Sequence, residues 1–181
     1  MDRSAEPAPL AGNWNFVISL RRSAQAESGA AGSDQAKAPP AGDAAGAPLG
    51  DGGFQECSGL DIEMDVTDLQ EGGRHDGVIQ RVGRGKYGRI VLKRGMFHGA
   101  DGRVNPEFWN WMQGILTGTR PVRRYDGTIQ MLGGDGKTVR ATWTFTRGLP
   151  AKVAGPQLNA KSGDVAVEEL HIAHEGLKLG S

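Results

Sequence analysis

The 181-residue chain predicts a mainly β fold, a β-sandwich or squashed β-barrel with one α-helix packed on its side. Three observations predict it. Apolar and polar residues alternate with a period of two in several separate stretches, as half-buried strands require. A single stretch carries helical spacing. The 29 glycines, against the roughly 13 that average usage would give, supply the turns that many short strands need.

The first strand is read over residues 13–21, where Trp14, Phe16, Ile18 and Leu20 share one parity and Asn13, Asn15, Ser19 and Arg21 the other. From Arg22 to Gly53 the chain is mostly Ala, Gly, Ser, Pro and Asp, with no aromatic residue before Phe54. Such a segment buries too little apolar area to offset the entropy of ordering it. Residues 22–53 are therefore expected to be a flexible insertion between two strands of one domain spanning residues 1–181, because one strand is too little to be a domain by itself.

Phe54 to Leu69 predicts a second strand, with Ile62, Met64 and Val66 on one side, Asp61, Glu63 and Asp65 on the other, and Gly72-Gly73 ending it. Arg74 to Lys86 is glycine-rich and basic with weak periodicity, and reads as a loop. Tyr87 to Phe97 reads as a short buried strand through Ile90, Val91 and Leu92. In the helix, Asn105 caps, Pro106 suits the first turn, Phe108, Trp111, Met112 and Ile115 follow the i, i+3, i+4, i+7 pattern, and Gly118 stops it. Tyr125–Leu132 and Thr138–Thr146 form a hairpin around a Gly-Gly-Asp-Gly turn. The last strand, Val165 to His174, changes phase, since Val165 and Val167 share a parity that Leu170 and Ile172 do not. A bulge near Glu168 or burial on both faces would account for it. Six or seven strands result.

Charge and composition narrow the function. With 21 Lys+Arg against 21 Asp+Glu, neither a strongly basic nucleic-acid binder nor a polyacidic tail is favoured, and weak self-repulsion permits self-association. Cys57 is the one cysteine, so an intrachain disulfide is excluded and a reducing compartment is expected. The first residues lack the apolar core of a signal peptide, and no run approaches the ~18 apolar residues of a membrane span. Synthesis as a soluble protein in the cytoplasm is the expectation.

The motifs that could carry chemistry fail on context. GRGKYG at 83–88 matches G-x-G-x-x-G, but a strand leaves it where a dinucleotide site needs a helix. GGDGKT at 133–138 resembles the end of a phosphate-binding loop but joins two strands. His171 and His174 in HIAHE would point to opposite faces of a strand and share no metal. The row Asp61, Glu63, Asp65 lacks the turn that wraps oxygens around a cation. Cys57 reads as a buried structural thiol, and Trp109 and Trp111 as core or interface anchors. No catalytic, cofactor or metal site is predicted. The charge layout is more telling, with acidic residues at 61–71 and basic ones at Arg81, Arg84, Lys86, Arg89, Lys93, Arg94, Arg120, Arg123 and Arg124. Patches of opposite sign suit head-to-tail contacts between copies.

Several segments taken together resemble a known family: FQECSGLDIEMDVTDLQEGG at 54–73, LKRG at 92–95, FWNWMQGILTG at 108–118, RRYDGTIQMLGGDGK at 123–137, and above all GPQLNAKSGDVAVEELHIAHEGL at 155–177. Their order and spacing are similar to those of the inner tail-tube proteins of contractile phages and extracellular contractile injection systems. The resemblance implies a non-enzymatic structural protein with a β-barrel-type tube fold and a flanking helix. Six copies would form a ring, and rings would stack into a hollow tube inside a contractile sheath, with a baseplate at one end and a tape-measure protein within during assembly. It brings no cofactor, and it implies assembly into a phage tail or injection particle, with cargo in the lumen a further expectation. On that reading Asp61, Glu63, Asp65 and Glu71 pair with Arg89, Lys93, Arg94, Arg123 and Arg124 of another copy, and Glu168, Glu169 and His171 lie at a subunit contact. A tube-initiator or adaptor ring joining tube to baseplate is the second reading, and a ligand- or nucleic-acid-binding β-barrel a distant third. The 22–53 insertion departs from the family, which has a short hairpin connection there, and would leave the tube wall outward or into the lumen.

Overall fold

Alternation in the sequence becomes nine strands and one helix among the described residues of a computed structural model, which describes residues 12, 15–24, 49, 53–69, 77–96, 103–161 and 163–180. In chain order these are β1 (Phe16–Arg22), β2 (Phe54–Ser58), β3 (Ile62–Leu69), β4 (Ile79–Tyr87), β5 (Ile90–Gly95), α1 (Glu107–Leu116), β6 (Tyr125–Leu132), β7 (Val139–Ala154), β8 (Val167–Ala173) and β9 (Gly176–Gly180).

The long strand β7 organises the body. Its first half lies between β6 and β9, and its second half pairs with β8, so that it belongs to two antiparallel layers, β1-β6-β7-β9 and β7-β8-β5-β2. The switch falls at Arg147, whose φ is 56°, and Gly148, where a Cβ would stand 2.8 Å from Ile172, Phe145 and the Tyr125 carbonyl. Asp126 fixes the bend by accepting the Arg147 N–H at 2.8 Å. Strands that pass from one layer to another by a local bend are a standard way to build a corner in a sandwich. The ladder does not close, since β1, β2 and β9 each pair on one side only among the described residues.

One core lies between the layers and under the helix. Ile18, Leu20, Ile129, Phe145 and Leu177 come from the first layer, Ile90, Leu92, Leu170 and Ile172 from the second, and Phe108 and Trp111 from α1. Each such side chain contributes about 1.5–3 kcal/mol on burial. The helix starts with Pro106 at its N-cap position, one residue later than the sequence predicts and without a side-chain cap there; Asn105 just before it accepts the Glu107 N–H at 3.0 Å on its side-chain oxygen, and Gly118 follows the helix end with a φ of +80°. Trp111 donates its indole N–H to the Arg123 carbonyl at 2.9 Å and meets Tyr125 edge-on.

Four sequence expectations change. The strand read over Phe54–Leu69 breaks at Gly59, whose φ of +81° ends β2 and turns the chain into β3. The loop read over Arg74–Lys86 is strand from Ile79 onward, because the ladder with β3 orders a segment whose own pattern is weak. No bulge occurs near Glu168: β8 keeps an unbroken register with β5, and its inward residues are Glu168, Leu170 and Ile172. The apparent phase change arose because a carboxylate, not a valine, takes the third inward position. The final strand β9 was not anticipated. Of the 22–53 insertion, residues 25–48 and 50–52 lie outside the described residues, as do Trp14, Glu71, Gly72, Gly73, His75 and His98. Leu49 is described, is buried, and donates its N–H to the Leu20 carbonyl at 2.9 Å, so the end of that segment returns to β1.

Candidate assembly surfaces

β3 and β4 form a two-stranded arm that pairs with no other strand among the described residues. Its register places Ile62 opposite Tyr87, Met64 opposite Gly85, and Val66 opposite Val82, with a bulge between Met64 and Val66. Alternation sets these residues on one face. Ile62 is 59%, Val66 56% and Val82 75% exposed, and Met64 and Tyr87 are exposed beside them. The other face is charged: Glu63 lies opposite Lys86, Asp65 pairs with Lys86 at 2.7 Å, and Thr67 lies opposite Arg81. An isolated hairpin is marginal in water, and a contiguous uncovered apolar face marks an interaction surface. Within GRGKYG, Gly83 sits at the bulge, where a Cβ would approach the Asp65 carbonyl to 2.9 Å, so these glycines serve strand geometry.

The charged residues divide into two groups. Arg94 and Glu168, placed by the sequence reading at a contact between copies, are instead buried within the subunit and joined to each other at 2.6 Å, with the Arg94 guanidinium stacked on Phe108. The reason is alternation on β5, which turns Ile90, Leu92 and Arg94 inward together. Lys93 bonds Glu56 across β2 and β5 at 2.9 Å, and that bond raises its pKa. Glu169 contacts His171 and reaches Lys152 at 3.5 Å; its pKa is lowered, chiefly by the bond to His171. Arg124 bonds Glu175 at 2.9 Å and the Arg147 carbonyl at 3.1 Å, while Arg123 is half-buried beside Trp111. Asp61, Glu63 and Arg89 are exposed at the arm and its root, Asp65 is half-buried there, and Glu71 lies outside the described residues.

A second surface, which the sequence reading missed, is the outer face of the first layer. Ser19, Thr128, Thr144 and Lys178 form one cross-strand row, and Val17, Gln130 and Thr142 the next. The signal was present in the Thr142, Thr144, Thr146 alternation, but only the ladder shows that Ser19, Thr128 and Gln130 join it. The strands at its two sides, β1 and β9, each pair on one side only among the described residues.

The remaining motifs resolve into local structure. Asp135 in GGDGKT accepts the N–H groups of Lys137 and Thr138 and contacts the Thr138 hydroxyl, which hold its carboxyl down at about 2. His171 lies on β8 and bonds Glu169, while His174 bonds the Gly176 carbonyl in the turn beyond. Burial, then the neighbouring Glu56 charge, pushes the Cys57 thiol up to about 11. No three His, Cys, Asp or Glu side chains converge on a metal position among the described residues. A cleft beside α1, lined by Asn110, Trp111, Ile115, Thr119, Pro121 and Arg123 among others, has no carboxylate, imidazole or thiol among its described lining residues.

Solved structures share this architecture. The chain is similar to one in the sheath-tube complex of an extracellular contractile injection system, PVC, in its extended state, at 20% identity and a TM-score of 0.66, over 98% of this chain and 94% of that one. It is similar to one in the six-fold symmetrised baseplate of the anti-feeding prophage, AFP, at 19% identity and a TM-score of 0.69, over 96% of this chain and 97% of that one. A chain of the AFP tube-terminating cap matches at 18% identity and a TM-score of 0.69, over 100% and 99% of the two chains. These likenesses carry the fold. No curated protein matches the chain. A family model matches residues 13–178, nearly the whole chain, and with the open ladder and uncovered arm already described the protein belongs to the T4-like virus tail tube protein gp19 family, as a structural subunit of an inner tube.

Proposed function

We propose that this tube protein assembles as stacked six-membered rings, and that it works by shape and self-association with no reaction of its own. The observation that carries the reading is the arm: its apolar face of Ile62, Met64, Val66 and Val82 lacks any covering layer among the described residues, and a second copy is the partner always present at matching concentration. The charged face beside it, with Asp61, Glu63, Asp65 and Arg89, orients the docking, as complementary charge does at other interfaces.

The open strands β1 and β9 join neighbours around the ring. If the first layer is continuous from copy to copy, the second layer and α1 must lie outside it, since they would be crowded on the concave side. The Ser19, Thr128, Gln130, Thr142 and Thr144 face then lines the lumen. Its hydroxyl and amide side chains are uncharged, and Lys178 at the β9 side of the same row adds one cation per copy to the lumen wall. A sheath around the tube, a baseplate at its end and a tape-measure protein within it are the partners such a conduit uses. The whole chain acts as one domain, with the 22–53 segment returning to it at Leu49.

The test is imaging of the purified full-length protein at high concentration. Stacked rings or tubes are the expected result, and a compact monomer that stays monomeric sinks the reading.

A further inference from the structure

The chain as a whole is neutral, with 21 Lys+Arg against 21 Asp+Glu, but the outer face of the first layer is not. Arg21 on β1 and Lys178 on β9 alternate with the inward Leu20 and Leu177 and so point outward, beside Ser19 and Thr144. Arg140, where β7 enters the layer, shares that face by alternation with Thr142 and Thr144. All three cations are exposed, and none has an ion-pair partner among the described residues. The carboxylate on these strands is that of Asp126, opposite Arg21, and it is half-buried and engaged by the Arg147 N–H at 2.8 Å.

Cations elsewhere on the body are neutralised where they stand: Lys93 by Glu56, Arg94 by Glu168 and Lys152 by Glu169. The acids at the two ends of the layer are engaged as well, Glu175 by Arg124 and Arg147, and Asp135 by the N–H groups of its own turn. The face therefore keeps a positive excess that no other side of the described subunit supplies a counter-charge for.

We propose that this face attracts a passenger polypeptide of net negative charge. The proposal rests on the reading of the first layer as the inner wall of the tube. β1 and β9 are then the strands that meet between neighbours, so that Arg21 and Lys178 stand on either side of every seam and each ring repeats the pattern. A concave wall lined by one sign of charge focuses its field into the space it encloses. Between the cations lie Ser19, Thr128, Gln130, Thr142 and Thr144, which offer hydrogen bonds to a polypeptide backbone. No aromatic side chain shares the face, so it has no platform on which the bases of a single strand would stack. A DNA duplex carries about one charge per 1.7 Å and would be gripped by every ring at once, which opposes movement along the tube. The scattered carboxylates of a polypeptide are held a few at a time.

The experiment assembles tubes of the full-length protein with fluorescent poly-glutamate at about 50 mM salt, then pellets and images them, with poly-lysine and a short DNA duplex as the other probes. Wild-type tubes are expected to retain poly-glutamate as density along the axis, to release it at about 500 mM salt, and to leave poly-lysine in the supernatant. Arg21→Gln with Lys178→Gln is expected to cut retention by about fivefold or more, while Lys152→Gln, on the outward face of the second layer, leaves it unchanged. Undiminished retention by the double variant overturns the proposal, as does equal retention of poly-lysine, poly-glutamate bound on the outside of the tube, or a stronger hold on the duplex, which would make nucleic acid the passenger. If the double variant forms no tubes, Arg140→Gln, away from β1 and β9, replaces it; a fall of about twofold or more is expected, and no fall overturns the proposal. The two readings fail separately: tubes that retain no poly-glutamate remove the passenger and leave the wall, whereas a protein that forms no tubes removes both.

Discussion

Arg94 and Glu168 meet at 2.6 Å inside the subunit, their side chains 2% and 1% exposed, with the guanidinium carbon 3.7 Å from the centre of the Phe108 ring. The pair ties β5 to β8, and the Phe108 ring of α1 packs on its guanidinium. Removing one partner leaves an uncompensated buried charge, which costs about 3–5 kcal/mol, whereas replacing both by apolar residues of similar volume is often neutral or better. Arg94→Ala is expected to lower the unfolding midpoint sharply and Arg94→Glu to prevent folding, while Arg94→Met with Glu168→Leu retains stability. Urea unfolding monitored by tryptophan fluorescence checks this. The charge at Arg94 acts on folding first and on assembly only through it.

The arm should behave in the opposite way. Met64→Asp and Val66→Asp alter side chains that are 49% and 56% exposed in the subunit, so stability is expected to change by no more than about 0.5 kcal/mol. Assembly should be lost, because each places a carboxylate where an apolar face must be covered. Sedimentation beside thermal unfolding separates the effects, and a destabilised subunit or undiminished assembly would contradict the assignment.

Leu49 gives a handle on the insertion. It is 6% exposed and bonded to the Leu20 carbonyl, so Leu49→Ala is expected to cost about 2–5 kcal/mol by leaving a cavity beside β1. Deleting residues 26–47, which spares Leu49, should leave the unfolding midpoint within a few degrees of wild type. A large loss on that deletion would show that the removed segment carries core contacts.

The β6–β7 turn makes a prediction in acid. The folded Asp135 carboxyl titrates at about 2, against 3.8 in a free side chain. A depressed value means that its contribution is fully present above the free value and is lost as pH falls from there through about 2. Asp135→Asn should therefore lower stability near neutrality, where the carboxylate's contribution is fully present, and flatten the stability profile across the acid window, the two proteins converging at its low end. Thermal unfolding of both proteins in an acid series measures it, and parallel profiles would rule the turn out as the source.

Local pattern determined much of this protein. The parity of Ile18 and Leu20, the spacing of Phe108, Trp111 and Ile115, the Gly118 stop and the hairpin around Asp135 follow from period, termination and turn chemistry, which act over a few residues. The order and spacing of whole segments also marked the family. Tertiary structure decided what local pattern leaves open. Alternation shows that Ile62, Met64 and Val66 share a face but not whether anything covers it, and here the strand that pairs them belongs to an arm outside the core. A run of charge near Arg94 reads as surface until the ladder shows that Arg94 and Glu168 point inward at each other. The row from Ser19 through Thr128 and Thr144 to Lys178 joins residues far apart in the chain, and pairing register alone places them side by side. Periodicity is a property of one strand, whereas covering, partnership and rows across a sheet depend on which strands become neighbours.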